Sequence, residues 1–367
     1  MKEARHSRLP KVIVDIGPLF EDHWTGIPIF TRRLVQALMR HGGVDVEFAF
    51  RLVQIPRSPV LAAIRAGTGT FLRAQFERNA GKTYPLIDPR AHLLFPSVKE
   101  SFNVSKHEAS TVHDVSPLVM PEYHEQENVD FHMKNLARQL ATDEVVFCVS
   151  EATRAALRLA FPSVADKTRV LSQYVDWPDS FAMIERNLSP PVLGRYAAVI
   201  GTVEPRKNLK ILIRALARPE VRDSDIRFVV IGKEGWKVEQ FMAELTEYQR
   251  ERLLFSGYVT EFMKYRLLKH AEFLVFPSLY EGFGIPALEA MSLGKPVLAA
   301  MTSSFPELIG DAGLYFDPLS VTEFVAAFGK FADKRTLSDL APKALTSASL
   351  YGWERMALPV VQWIKGE

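Results

Sequence analysis

Two α/β domains, each a parallel sheet with helices on both faces, are predicted for this chain by three observations. Short apolar runs alternate with amphipathic or polar stretches along nearly its whole length. At 367 residues the chain has room for two domains of ordinary size. One Pro-rich polar stretch, Asp176-Trp177-Pro178-Asp179 to Ser189-Pro190-Pro191, interrupts the rhythm midway and reads as a linker. The first series of predicted strands falls at 12–16, 44–50, 92–95, 109–112, 144–149 and 168–171. The second falls at 196–201, 226–232, 252–255, 272–276 and 296–300. Continuous apolar runs, rather than alternating ones, are what strands buried on both faces require, and strand–helix alternation makes the sheets parallel. The expected division is 1–175 for the first domain, 176–195 for the linker and 196–350 for the second domain, with a terminal helix within 351–367.

Composition narrows the function classes. Hydrophobic residues make up 47% of the chain, ample for two cores, and 24% are charged, as in a soluble protein. The net charge of +2 and the absence of a recognition motif argue against nucleic acid as a partner. No apolar run approaches the roughly 18 residues of a membrane span. The apolar run near the N-terminus is short and broken by Asp15, so a signal peptide is not expected and the protein is placed in the cytoplasm. A single cysteine, Cys148, excludes an intrachain disulfide and reads as a buried strand residue in the run Val145 to Val149.

The most informative stretch runs from Phe276 to Met291. An apolar strand enters the turn Tyr280-Glu281-Gly282-Phe283-Gly284-Ile285, and Pro286 suits the start of a helix, where its missing N–H is not needed. Gly282 and Gly284 permit a tight turn whose N–H groups form a nest for phosphate or sugar hydroxyls. Glu281 precedes the turn and Glu289 is expected in the first helical turn, so two carboxylates bracket one anion cradle. Plain α/β packing with dipole-favoured acids accounts for the same spacing. A second motif upstream, Gly201-Thr202-Val203-Glu204-Pro205-Arg206-Lys207-Asn208, tips the balance. There an apolar strand runs into a turn with two adjacent cations, able to neutralise a diphosphate leaving group. Together the motifs look like a nucleotide-sugar site.

These residues resemble the retaining glycosyltransferases of family four, which have the GT-B architecture: two Rossmann-like, doubly wound domains facing a central cleft. The resemblance covers most of 197–318. It includes Gly201 to Asn208, Gly232 to Trp236, the Glu281–Glu289 pair, Gly294-Lys295-Pro296-Val297, Pro306-Glu307 and Asp311 to Pro318. The first half matches in patches, at Thr25-Gly26-Ile27, Thr111-Val112-His113-Asp114 and Val149-Ser150-Glu151.

The resemblance implies that Arg206, Lys207 and the N–H groups of Gly282, Phe283, Gly284 and Ile285 stabilise the departing diphosphate without a metal or other cofactor. Glu281 would hold sugar hydroxyls and Glu289 the ribose. The base would rest near Gly232, Lys233, Tyr258 and Val259, and the terminal helix would return to the first domain. His113 would face the donor sugar, though a lone His after a strand is also a common structural residue. Gly26 would approach the donor phosphates and acceptor; Thr25 with Gly26 also reads as a plain N-cap. Relatives often carry Gly-Arg where this chain has Pro28-Ile29, which bears on acceptor choice. Ser150-Glu151 reads first as an N-cap with an acidic first turn.

Two further stretches have a functional and a plain reading. Asp223-Ser224-Asp225 spells a metal-binding acidic triplet but reads as a solvated turn. The stretch 51–82 carries Arg51, Arg57, Arg65, Arg73, Arg78 and Lys82 against Glu77, with Val60, Leu61, Ile64, Phe71, Leu72 and Phe76 at near-helical spacing. Such a segment can lie on an anionic membrane surface, or be a helix packed on the first sheet.

The expected function is transfer of a hexose, mannose from GDP-mannose by resemblance, to a glycan or lipid-linked acceptor in bacterial surface polysaccharide or lipopolysaccharide synthesis. The alternatives are a UDP-glucose or UDP-N-acetylglucosamine donor, a sugar-nucleotide epimerase or hydrolase, and an inactive glycan-binding partner.

Overall fold

The computed structural model describes residues 9–78, 84–236 and 238–367; Lys82 of the basic stretch lies outside them. The chain forms two compact units. The first comprises Met1–Leu118, Gln126–Tyr174 and Gly352–Glu367, the second Val119–Glu125 and Val175–Tyr351.

Among the described residues the first unit holds seven strands: β1 (Lys11–Asp15), β2 (Asp45–Phe50), β3 (Val53–Ile55), β4 (His92–Phe95), β5 (His107–Val112), β6 (Val145–Cys148) and β7 (Thr168–Val170), in the order β3-β2-β1-β4-β5-β6-β7. All neighbours are parallel except β2 and β3. The second unit holds β8 (Tyr196–Ile200), β9 (Arg227–Ile231), β10 (Leu253–Gly257), β11 (Leu274–Phe276), β12 (Val297–Ala300) and β13 (Gly313–Phe316), all parallel, in the order β10-β9-β8-β11-β12-β13. In both sheets the chain steps outward in one direction, returns to the middle, and continues the other way. The reversal lies between β1 and β4 in one unit and between β8 and β11 in the other. Loops at the carboxyl ends of such strands diverge and leave a ligand-sized crevice.

Helices cover both sheets, which is why the strands read as unbroken apolar runs. Val12, Ile13 and Val14 of β1 are fully buried, as are Leu274 and Val275 of β11. Each such side chain contributes roughly 1.5–3 kcal/mol. The helix Ile27–His41 packs on the terminal helix Trp353–Lys365 within the first unit, burying Phe30, Leu34 and Leu38 on one side and Met356, Val360 and Val361 on the other.

Two strands escaped the sequence reading. β2 and β3 form a hairpin turned by Arg51 and Leu52, both at positive φ (47° and 69°). The usual residues for such a turn are Asn and Gly, so Arg-Leu gave no signal. β13 is four residues long and starts at Gly313, where a Cβ would lie 2.1 Å from the Val297 carbonyl oxygen. The Pro-rich stretch after Tyr174 is not bare linker: it contains the helix Asp179–Glu185 and belongs to the second unit.

Part of the basic stretch packs inward. Its helices Arg57–Ala66 and Thr70–Arg78 bury Val60, Ile64 and Leu72, and Phe76 joins an aromatic cluster with Phe20, Phe50 and Tyr84. Arg57 pairs with Asp45 at 2.9 Å and Arg73 with Asp22. Of its apolar stripe, Phe71 remains 48% exposed. Asp223 and Asp225 are engaged separately, by Arg222 and Arg195, at the surface.

One buried polar network orders the loop after β4. Lys99 Nζ lies 2.5 Å from both Glu108 Oε2 and Asp143 Oδ1, with all three side chains fully buried. Glu108 also accepts from the Val104 and Ser105 N–H groups, and Gln139 Oε1 accepts from the Lys99 N–H. Burial pushes the Asp143 carboxyl up to about 6, against the pull of Lys99. The cation is what lets two acids share this interior. Lys99→Met leaves both carboxylates without it and should destabilise the chain by about 3–5 kcal/mol, read as an earlier denaturant midpoint. A parental midpoint would mean that the network does not hold the loop.

Candidate active site

The second unit's site begins at its strand-order reversal. β8 ends at Ile200 and β11 at Phe276, and the two following loops carry the residues singled out in the sequence. Their backbones are joined: the Leu279 N–H donates to the Arg206 carbonyl at 2.9 Å. Asn208, held at φ 54°, donates through Nδ2 to the carbonyls of Pro277 and Pro318. Gly201 sits at φ 152°, and a Cβ there would lie 3.2 Å from Lys207 Cε, so glycine makes room for the lysine stem.

Arg206, Lys207 and Glu281 come together. Lys207 Nζ pairs directly with Glu281 Oε1, and Arg206 Nη1 lies 3.6 Å from Glu281 Oε2. Arg206 is anchored by Glu204 at 2.9 Å and by the Tyr280 carbonyl at 2.7 Å. Two cations and two carboxylates therefore balance in a largely buried cluster. Burial alone would raise the Glu281 pKa, but Lys207 and Arg206 outweigh it and hold the carboxyl below its ordinary value. Glu281 thus stays an ionised acceptor at neutral pH.

The loop after β12 holds the Glu281 turn from the other side. Thr302 Oγ1 donates to the Leu279 carbonyl at 3.0 Å, and Ser303 Oγ accepts from the Glu281 N–H at 3.0 Å. Ser304 Oγ contacts the carbonyls of Glu281 and Phe283 at 3.0 and 2.8 Å. Ser303 adopts φ 45°, a left-handed conformation that few serines take. These hydroxyls carry no sequence pattern, and the motif reading missed them.

Gly284 caps the helix Ile285–Met291 at φ 100°; a Cβ would crowd Leu308, Phe305 and Phe276 at 3.2–3.4 Å. Gly282 and Phe283 are buried, and the Phe283 ring packs edge-on against Tyr351, so only its backbone can serve a ligand. Glu289 is not in the first helical turn as expected: it is the fifth helical residue, 1% exposed, with Lys264 Nζ 2.6 Å from its Oε1.

The segment expected at the base is tied to the Arg206 loop. A Cβ on Gly232 would lie 2.1 Å from the Gly201 carbonyl oxygen, and the Val203 N–H donates to the Lys233 carbonyl at 2.9 Å. The Lys233 side chain is exposed. The Gly232 N–H donates to the Gly257 carbonyl at 3.1 Å, placing Tyr258 (44% exposed) and Val259 on the neighbouring loop.

In the first unit, Gly26 follows β1 and is the N-cap of the helix Ile27–His41, at φ 49° with no side-chain cap. Thr25 therefore does not cap this helix. His113 follows β5. Its Nε2 lies 2.7 Å from the Pro96 carbonyl, and its ring meets Phe30 edge-on at 4.7 Å. A carbonyl only accepts, so Nε2 carries the proton and Nδ1 is left as an acceptor for a hydroxyl. Burial pushes the His113 pKa below its ordinary 6.5. Ser150 is an N-cap, its Oγ accepting from the Thr153 N–H at 3.0 Å. Cys148 is buried in β6, and burial pushes its thiol up to about 12. Among the described residues, no group of three or more His, Cys, Asp or Glu side chains is placed to hold a metal ion.

The chain is similar to known proteins. Residues 185–344 match the family described as glycosyl transferases group 1. The chain is 31% identical to the O-antigen chain mannosyltransferase B of Escherichia coli over 269 residues, 70% of this chain and 69% of that one. Among solved structures, a sucrose-phosphate synthase from Thermosynechococcus elongatus superposes with a TM-score of 0.67 at 18% identity, covering 98% of this chain and 99% of its own. HepE of Anabaena, in complex with UDP and glucose, gives 0.64 at 17%, covering 98% and 100%. The two Rossmann-like units are those of the GT-B architecture, and the chain belongs to the glycosyl transferases group 1 family as a glycosyltransferase enzyme.

Proposed function

We propose that the chain transfers a hexose from a nucleoside diphosphate sugar to a glycan or lipid-linked saccharide in surface polysaccharide synthesis, with retention of anomeric configuration. The observation that carries this reading is the cluster of Arg206, Lys207 and Glu281 at the reversal between β8 and β11. It sets cations for a diphosphate beside an ionised acceptor for sugar hydroxyls.

In the reaction the C–O bond between the sugar and the diphosphate lengthens toward an oxocarbenium-like transition state. Negative charge grows on the diphosphate, and Arg206, Lys207 and the N–H groups of the Gly282–Ile285 turn stabilise it. Glu281 accepts from sugar hydroxyls and fixes the ring, and Glu289 takes the ribose. The acceptor oxygen attacks the face that the diphosphate leaves, and its proton passes to the departing phosphate oxygen. His113 accepts a hydroxyl proton through Nδ1 in a hydrogen bond. Gly26 serves the donor-phosphate and acceptor region, and the base lies by Gly232, Lys233, Tyr258 and Val259.

Two donors fit. A UDP-sugar is the reading supported by the UDP-bound HepE fold, and GDP-mannose by the likeness to an O-antigen mannosyltransferase. Arg206, Lys207, Glu281 and Glu289 would meet the diphosphate, sugar and ribose that both share, whereas Gly232, Lys233, Tyr258 and Val259 would meet the base that differs. The enzyme would work in the cytoplasm, with the exposed Arg51, Arg57, Arg65, Arg78 and Phe71 of the basic stretch facing an anionic membrane surface. No helix among the described residues is long and apolar enough to cross a membrane.

A thermal-shift and nucleotide-release panel of GDP-mannose, GDP-fucose, UDP-glucose and UDP-N-acetylglucosamine tests the assignment. One donor should raise the melting temperature and release its nucleotide slowly without acceptor; no response to any of the four would count against these donors. With the responsive donor, Glu281→Gln should lower kcat/KM at least about 100-fold while the protein stays folded, and a parental rate would remove Glu281 from the site. Because burial depresses the His113 pKa, its neutral form persists as pH falls through 7. Protonation of His113 should therefore cost activity only below pH 6.5, with that acid limb absent from His113→Gln. An acid limb centred above 6.5 would contradict the His113 role.

A further inference from the structure

Glu289 is a buried carboxylate whose charge is met by a residue that no motif reading singled out. Lys264, on the helix Glu261–His270, is 15% exposed at its side chain and places Nζ 2.6 Å from Glu289 Oε1. The same Nζ lies 5.6 Å from the centroid of the Trp177 ring. Trp177 Nε1 donates to Ser292 Oγ at 2.9 Å, and Ser292 Oγ donates to the Glu289 carbonyl at 2.8 Å. The contacts thus form a closed ring: Trp177 to Ser292, Ser292 to Glu289, Glu289 to Lys264, and Lys264 back to Trp177.

A lysine stem is flexible, and an ammonium alone does not fix a partner's rotamer. Here the aromatic ring limits the ammonium on one side, and ring and cation attract. The helix beneath is held by further ring contacts, Trp177 with Tyr265 at 5.4 Å and Phe181 with Phe262 at 5.0 Å. Glu289 therefore presents its carboxylate in one orientation before any ligand arrives.

We propose that Lys264 is a positioning residue for donor recognition, holding the Glu289 carboxylate aimed so that it accepts from the ribose hydroxyls of the nucleoside diphosphate. The inference rests on the reading of Glu289 as the ribose acceptor. It adds a specificity device: affinity for the nucleotide depends on Lys264 only through the ribose diol. A purely structural ion pair would affect every ligand of the site alike.

The test measures binding of UDP or GDP, whichever the enzyme holds more tightly, and of its 2′,3′-dideoxy analogue, by calorimetry. Lys264→Met, which retains the length of the stem, should weaken the parent nucleotide about tenfold and leave the dideoxy analogue unchanged. Lys264→Arg should recover most of the loss, and in turnover the defect should fall on donor KM more than on kcat. Equal weakening of both ligands, or none, overturns the proposal. Glu289→Gln separates the two levels. If it leaves the preference for the ribose diol intact, the ribose reading itself fails. If it abolishes that preference while Lys264→Met does not, only the role of Lys264 fails. Should Lys264→Met not fold, Lys264→Gln carries the same comparison.

Discussion

The ion pair between Lys207 and Glu281 is the constraint on which the second unit's site depends. It joins two loops distant in sequence that are neighbours only because β8 and β11 lie side by side at the sheet's reversal. Neither side chain would tolerate partial burial alone, since an unpaired charge there is costly. Everything around it can be read as support. Gly201 admits the lysine stem, Glu204 and the Tyr280 carbonyl fix the neighbouring guanidinium, and the Thr302–Ser304 hydroxyls fix the backbone that carries Glu281. The pair is thus both a structural tie between loops and the charged centre of the proposed chemistry.

How far the sequence could be read follows from the same physics. The predicted strands were legible because helices cover both faces of each sheet, so burial wrote continuous apolar runs into the chain. β3 was not, because its turn is made by Arg51 and Leu52 in a conformation that neither residue advertises. In the site, Arg206, Lys207 and Glu281 stood out as charges in glycine turns at strand ends. Their mutual pairing did not, since sequence places cations and carboxylates in loops without saying which loops meet. Ser303, Ser304 and Lys264 were invisible for a related reason: a hydroxyl or a single lysine on a helix carries no period, and only the fold gives it a partner. The 51–82 segment shows how an amphipathic pattern alone leaves two readings open. Val60, Ile64 and Leu72 turn inward, whereas Phe71 stays exposed, so one pattern serves interior packing and still leaves a surface for other contacts.

The first unit contributes a different kind of order. His113 owes its tautomer to the Pro96 carbonyl, and Pro96 begins the loop that Lys99, Glu108 and Asp143 pin from within. A buried ion triad adds little net stability against an apolar alternative of similar volume. Its value here is geometric, because it fixes a loop whose first carbonyl decides which imidazole nitrogen remains an acceptor.

The charge balance at Glu281 also shapes the proposed reaction. A diphosphate arriving at this site does not meet two bare cations; it meets cations already held by carboxylates. On the proposed reading it carries more charge than a single carboxylate and would take Lys207 from Glu281. The released carboxylate then accepts from whatever hydroxyl the sugar presents. Recognition of the diphosphate and of the sugar are in this way coupled through one exchange of partners. On that reading a nucleoside diphosphate without a sugar would leave Glu281 without a hydroxyl to take the place of Lys207. The ion pair that joins the two loops would thus also be the point at which diphosphate and sugar recognition meet.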